Sequence, residues 1–167
     1  MNSVEEIIKK LDLKPHPEGG YFKETYRSEE EIDGGSLSSN FNDKRAVSTC
    51  IYFLLTSSDF SAFHRIQQDE IWHFYSGSPV RLHTISETGV HSEFIIGNDL
   101  EKGEVPQLVV PKRDWFAAEV VNENAYTLVG CTVAPGFDFN DFELPNREKL
   151  ISLFPEHVEI ITKLTAR

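Results

Sequence analysis

His64, Glu70 and Gly77 punctuate one run of the chain, His64-Arg65-Ile66-Gln67-Gln68-Asp69-Glu70-Ile71-Trp72-His73-Phe74-Tyr75-Ser76-Gly77. An imidazole six residues ahead of a carboxylate, on two strands joined by a turn, can be aimed with it into one cavity. There the pair has three possible uses: ligands to a metal ion, a bare acid/base couple, or polar anchors for a bound molecule. A carboxylate beside an imidazole favours its charged form while burial opposes both charges, so a metal-free pair can place a proton-transfer pKa near neutrality. A catalytic metal normally has at least three protein ligands and an open position, and this segment supplies two. Residues two apart on a strand share a face, which sets His64 with Ile66, and Glu70 with Trp72 and Phe74. The expected cavity is aliphatic and aromatic with one acid and one imidazole, the usual make-up of a small-molecule site. The same alternation turns Arg65, Asp69, Ile71 and His73 elsewhere.

The elements that must hold this pair follow from the rest of the chain. At 167 residues it is the size of one domain with a real core. Ser3 and Glu6 have the spacing of a capping box, and Val4, Ile7, Ile8 and Leu11 lie on one face, so a helix is expected over residues 3 to 11. Pro15-His16-Pro17-Glu18-Gly19-Gly20 reads as a turn-rich link. Strand-like runs then follow at 21 to 27, 47 to 55, 60 to 66, 70 to 76, 79 to 85, 91 to 96, 107 to 111, 115 to 121 and 125 to 134, with frequent turn signals between them. Such a series suggests an all-β sandwich or barrel. Residues 28 to 45, with Glu29-Glu30-Glu31, Gly34-Gly35 and Ser38-Ser39-Asn40, read as a mobile or solvated loop placed to cover a cavity. Helical signals return at 147 to 153 and after Pro155. The expected division is a helix over 1–14, a β body over 20–134 and a helical cap over 135–167, all within a single domain 1–167.

Composition excludes several roles. A net charge of -11 would repel a phosphate backbone, so no nucleic-acid partner is expected. No apolar run approaches the ~20 residues of a membrane span, and the acidic start Met1-Asn2-Ser3-Val4-Glu5-Glu6 has no apolar core of a secretory leader; a cytoplasmic location is expected. Cys50 and Cys131 sit far apart in apolar runs and read as buried thiols.

The run 64–77 resembles the first motif of the cupin superfamily, His-x-His, three or four residues, Glu, six residues, Gly, with His64, Ile66, Glu70 and Gly77 on its positions. The second cupin motif is similar to the stretch from Pro111, with Arg113 where Gly is usual, Phe116 at the fourth-ligand His and Val120 in place of Asn. Pro15-His16-Pro17-Glu18-Gly19-Gly20-Tyr21-Phe22, Glu24-Thr25-Tyr26-Arg27-Ser28, Asp69-Glu70-Ile71-Trp72-His73-Phe74 and Val133-Ala134-Pro135-Gly136-Phe137-Asp138-Phe139 together resemble a divergent cupin subfamily. The resemblance implies a double-stranded β-helix, or jelly roll, usually a homodimer, with a pocket between its sheets. With Ile66 and Phe116 at two ligand positions, no metal or other cofactor is expected; were a metal present, His64 and Glu70 would hold it. The leading reading is a metal-independent isomerase or epimerase on a sugar-like or polar metabolite, with His64 and Glu70 as the catalytic pair. At fold level it resembles the sugar-nucleotide 3,5-epimerases, which use a His base and a Tyr acid. The alternatives are a non-catalytic small-molecule-binding protein and a metal-dependent cupin oxygenase or isomerase. Pocket candidates are Tyr21, Lys23, Arg27, Ile66, Trp72, Phe74 and Phe116, with Lys23 and Arg27 on one strand face, where they could hold an anion. Tyr21, Tyr26, Tyr52 and Tyr75 could each supply a phenol. Residues 135–143 read as an aromatic latch between barrel and C-terminal helices, or as an acidic rim.

Overall fold

The computed structural model describes residues 3–38 and 41–165. Met1 and Asn2 of the N-terminal segment, Ser39 and Asn40 of the 28–45 loop, and Ala166 and Arg167 of the C-terminal cap lie outside them. Helix α1 (Val4–Leu11) begins with the expected capping box, Ser3 and Glu6 satisfying each other's backbone N–H groups, and closes on a left-handed Asp12. The strands are β1 (Lys14–Pro15), β2 (Tyr21–Arg27), β3 (Glu31–Ile32), β4 (Arg45–Ala46), β5 (Thr49–Thr56), β6 (Phe60–His64), β7 (Asp69–Gly77), β8 (Val80–Ile85), β9 (His91–Ile96), β10 (Gln107–Val110), β11 (Trp115–Val120) and β12 (Tyr126–Ala134). Helices α2 (Arg147–Leu153) and α3 (Val158–Lys163) follow.

Two antiparallel sheets face each other, one in the order β1-β2-β5-β12-β7-β10, the other β6-β11-β8-β9. Phe53, Leu55, Trp72, Leu82, Val110, Phe116 and Val129 fill the space between them, as the alternation of strand side chains requires. Each outer face is closed by helix. Ile7 of α1 packs with Leu54, Tyr21, Tyr52 and Leu128 on the large sheet, while Leu150, Phe154, Ile161 and Leu164 cover Phe63, Trp115 and Ala117 on the small one. No helix among the described residues is long and apolar enough to cross a membrane.

Three irregularities reset which residues point inward. In β2 the pairing to β5 skips Thr25, so Phe22, Glu24 and Arg27 share the inner face and Tyr26 turns out. In β6 two residues oppose one between Phe116 and Ala118, which puts both Ser61 and His64 inside. In β7 the shift at Leu128/Val129 leaves Tyr75 as the extra residue, over Gly130 on the outer face. The segment expected to be a loop, 28–45, contains the β3–β4 pair and a short 3-10 turn at Gly34–Ser36, with Phe41 and Arg45 buried. The correction has a physical cause: Arg45 forms a bidentate, buried ion pair with Asp141, which ties the segment to the chain beyond β12.

Candidate functional site

A cavity of about 300 Å³ opens at one end of the space between the sheets. Its apolar wall is Phe22, Ile51 and Val133 from the strands and Ile66 from the β6–β7 turn, with Phe137, Phe139 and Phe142 from the segment after β12. Its polar groups are His16, Glu18, His64, Glu70 and Cys131, with Glu24, Arg27 and Asp138 also in the lining.

The link at 15–20 does more than turn. His16 to Gly19 form a tight turn, Gly19 N–H donating to the His16 carbonyl, and Glu18 is laid against β6 by its carbonyl accepting from Ala62 N–H at 2.8 Å. Gly19 has φ +111°, and a Cβ there would collide with the carbonyl oxygen of Phe60, so the chain approaches β6 this closely only as glycine. The Glu18 carboxylate is thereby pressed into the cavity. One oxygen accepts from Ser61 Oγ at 2.9 Å, and the other lies 3.0 Å from His64 Nε2. The bulge in β6 is what lets Ser61 and His64 reach the same carboxylate.

His64 Nδ1 donates to the Ala62 carbonyl at 2.7 Å. With an acceptor on each ring nitrogen, the ring satisfies both only when doubly protonated. Burial opposes that charge, but the Glu18 carboxylate, its hydrogen bond and the more distant Glu70 outweigh it and hold the His64 pKa above its ordinary value. Glu18 is the mirror case: burial pushes its carboxyl up, His64 and then His16 and Ser61 pull it down, and the net direction is down. The two form a buried ion pair. Glu70 has no such partner. Burial raises its pKa to about 7; the charge on His64 opposes the rise, the Glu18 carboxylate adds to it, and the Cys131 thiol and Trp72 indole favour the ionised form weakly. The indole nitrogen is close enough to be felt but forms no hydrogen bond of good geometry. Burial and Glu70 together push the Cys131 thiol well up, which makes it a donor and not a nucleophile.

The cupin superfamily (DUF985) family model matches residues 5–145. The chain belongs to this cupin family. A Saccharomyces cerevisiae protein described as uncharacterised is 34% identical over 151 residues, 84% of this chain and 74% of that one. A hypothetical protein from Leishmania major superposes with a TM-score of 0.91 at 35% identity, covering 99% of this cupin and 100% of its own chain. A Shewanella oneidensis protein gives 0.90 at 38% identity, with 99% of each chain covered. Oxalate decarboxylase from Bacillus subtilis gives 0.54 at 15% identity over 90% of this cupin and 36% of that chain, a likeness of fold alone.

The cupin pocket brings together some of the residues expected from sequence and separates others. His64, Glu70, Ile66 and Arg27 line it. Trp72, Phe74 and Phe116 lie in the core between the sheets, Phe116 with its ring 4.0 Å from that of His64. Tyr21 and Lys23 are on the other side of β2: strand alternation opposes them to Phe22 and Glu24, Tyr21 packs with α1, and Lys23 pairs with Asp12 at 2.9 Å. Lys23 and Arg27 were expected on one face; the extra Thr25 separates them. None of the four tyrosines lines the cavity; Tyr52 and Tyr75 meet edge to face outside the sheet, and Tyr26 is exposed. Arg27 is already held by both oxygens of Glu24 at 2.8 Å and by the Phe137 carbonyl, so it braces the mouth. The 135–143 segment both latches and lines: Asp141 anchors it and Phe137, Asp138, Phe139 and Phe142 face the cavity.

His16, Glu18, Glu24, Ser61 and Cys131 are polar groups of the site that the sequence pattern did not place there. His16 and Glu18 alone carried a signal, two ionisable residues set among prolines and glycines, where a rigid backbone can present them. The donor set does not fit a divalent ion. Both nitrogens of His64 are engaged, Ile66 and Phe116 offer no lone pair, and among the described residues no three His, Cys, Asp or Glu side chains are grouped to hold a metal.

Proposed function

We propose that this cupin binds a small polar or sugar-like metabolite and moves a proton at a carbon next to its carbonyl, as a metal-independent isomerase or epimerase. What carries the reading is Glu70: a buried carboxyl in the cavity with no ion-pair partner, whose pKa burial raises to about 7, poised to take and return a proton at neutral pH. The roles within the expected pair change. His64, hydrogen-bonded at both nitrogens, has no lone pair to act as base and serves as the fixed positive charge of the site. Glu70 takes the proton from the hydroxyl-bearing carbon, the electron pair moves onto the carbonyl oxygen, the hydroxyl proton passes between the two oxygens of the enediolate, and the Glu70 carboxyl returns its proton to the former carbonyl carbon. The two carbons exchange oxidation levels, so no outside oxidant or reductant is needed. The aromatic segment at the mouth excludes water from the intermediate.

The test is carbon-bound hydrogen exchange in D2O with small hydroxyketones and ketoses, dihydroxyacetone first, read by proton NMR. Deuterium should appear beside the carbonyl, with a rate that rises through about pH 7 as Glu70 ionises, and Glu70→Gln should lower it by about 100-fold or more. A protein that binds these compounds yet leaves every C–H unexchanged sinks the catalytic reading in favour of a binding protein.

A further inference from the structure

We propose that His16 is the group that holds the substrate's carbonyl oxygen, through a hydrogen bond donated by Nε2–H, and that the ligand class of the pocket is therefore small carbonyl compounds able to form a planar enediolate. This rests on the proton-transfer reading above.

The backbone of the His16–Gly19 turn fixes which nitrogen of His16 carries its proton. The backbone N–H of Glu18 points at His16 Nδ1, 3.3 Å away. A main-chain N–H can only donate, and a buried one left without an acceptor is costly, so Nδ1 presents its lone pair. The rival arrangement would protonate Nδ1 and direct it at Glu18 Oε2, 3.5 Å away. That contact is longer, its oxygen already accepts from His64, and it would leave the Glu18 N–H unpaired. The proton is consequently on Nε2, and the ring lines the cavity.

The surroundings keep the ring neutral. Phe22 meets it edge-on at 4.6 Å and Phe142 at 5.8 Å, with Phe53 and Phe139 at 6.2 and 6.1 Å. The one carboxylate beside it, Glu18, is spent on His64 and Ser61. Burial lowers the His16 pKa more than Glu18 raises it, and the nearby His64 charge lowers it further. A neutral N–H can stabilise charge developing on a carbonyl oxygen without passing it a full proton, the role an electrophile needs opposite a carboxylate base. Glu70 supplies that base in the same cavity.

The experiment has a part that needs no ligand. Two-bond proton–nitrogen correlation on 15N-labelled protein should show His16 as the neutral Nε2–H tautomer at pH 7. Glycolohydroxamate, a planar enediolate mimic, should then move the Nε2–H proton downfield on titration. His16→Ala should weaken its binding by at least about 10-fold, and His16→Gln, which keeps a donor, should recover part of the loss. A ring protonated on Nδ1 or on both nitrogens at pH 7 overturns the proposal, as does unchanged hydroxamate affinity in His16→Ala. If wild-type protein exchanges substrate hydrogen and His16→Ala does so equally well, the role of His16 falls and the proton-transfer reading stands. If wild type takes no hydroxamate, the enediolate ligand class falls whatever the tautomer.

Discussion

Glu70 and His64 bear opposite consequences of the same burial. His64 has a counterion 3.0 Å away and keeps its charge; Glu70 has none at that range and holds its proton up to about pH 7. In the unfolded chain Glu70 ionises near 4.5, and in the folded one near 7, so between those values the folded state binds more protons. Its contribution to stability is complete below about pH 4.5, is lost as pH rises toward 7, and is constant above. Glu70→Gln removes that dependence. Urea unfolding should show the variant more stable than wild type by on the order of 2 kcal/mol at pH 8 and nearly equal at pH 4.5. A gap of the same size at both pH values would mean that packing, not ionisation, separates them. At this scale the sequence was half legible. Strand parity around Glu70 is regular, so its inward orientation and its neighbours Trp72 and Phe74 could be read directly. His16 and Glu18 sit where prolines and glycines dominate, and no periodicity says which way a turn residue faces.

Elements carried most of the legible information and also hid most of the errors. The nine longer strands fall where alternating apolar residues place them, β2 to the residue, because a half-buried sheet demands that pattern. Bulges leave no such mark. Thr25 and the paired residues in β6 are ordinary strand formers, yet each shifts every later side chain to the other face, which is why Arg27 enters the pocket without Lys23. The short β1, β3 and β4 are held by pairing with their partners, and β4 also by the Arg45–Asp141 pair, a contact across 96 residues that no local pattern marks. The His16–Gly20 turn is the element on which the site depends most, since it alone positions Glu18. Gly19→Ala combines an unfavourable φ with a collision against the Phe60 carbonyl. It should cost about 2 kcal/mol, lowering Tm by about 4–8 °C, and the His64 ring signals should shift as Glu18 moves. An unchanged Tm would mean that the turn can relax away from β6.

Across the whole molecule, two long-range ties complete the cavity. The 28–45 segment and the stretch after β12 are locked together by Arg45 and Asp141, both buried, with Gln68 donating to Asp141 and to the Gly136 carbonyl. Asp141→Ala strands the Arg45 charge and should cost about 3–5 kcal/mol. Amide exchange should then quicken at residues 137–142 while β12 stays protected; uniform acceleration would show that the tie supports the fold as a whole. The jelly roll itself was readable, because strand spacing and the motifs from 15 to 139 agree on it. The wall formed by Phe137, Phe139 and Phe142 follows from a pairing across about a hundred residues, which pattern alone does not encode. One consequence concerns portability. The barrel strands contribute His64 and Glu70, but the counterion, the second imidazole and the aromatic wall arrive from chain outside residues 20–134. Another jelly roll given only those two side chains would inherit an unneutralised buried imidazole. The transplantable unit is three stretches, 16–20, 61–70 and 136–142, taken together.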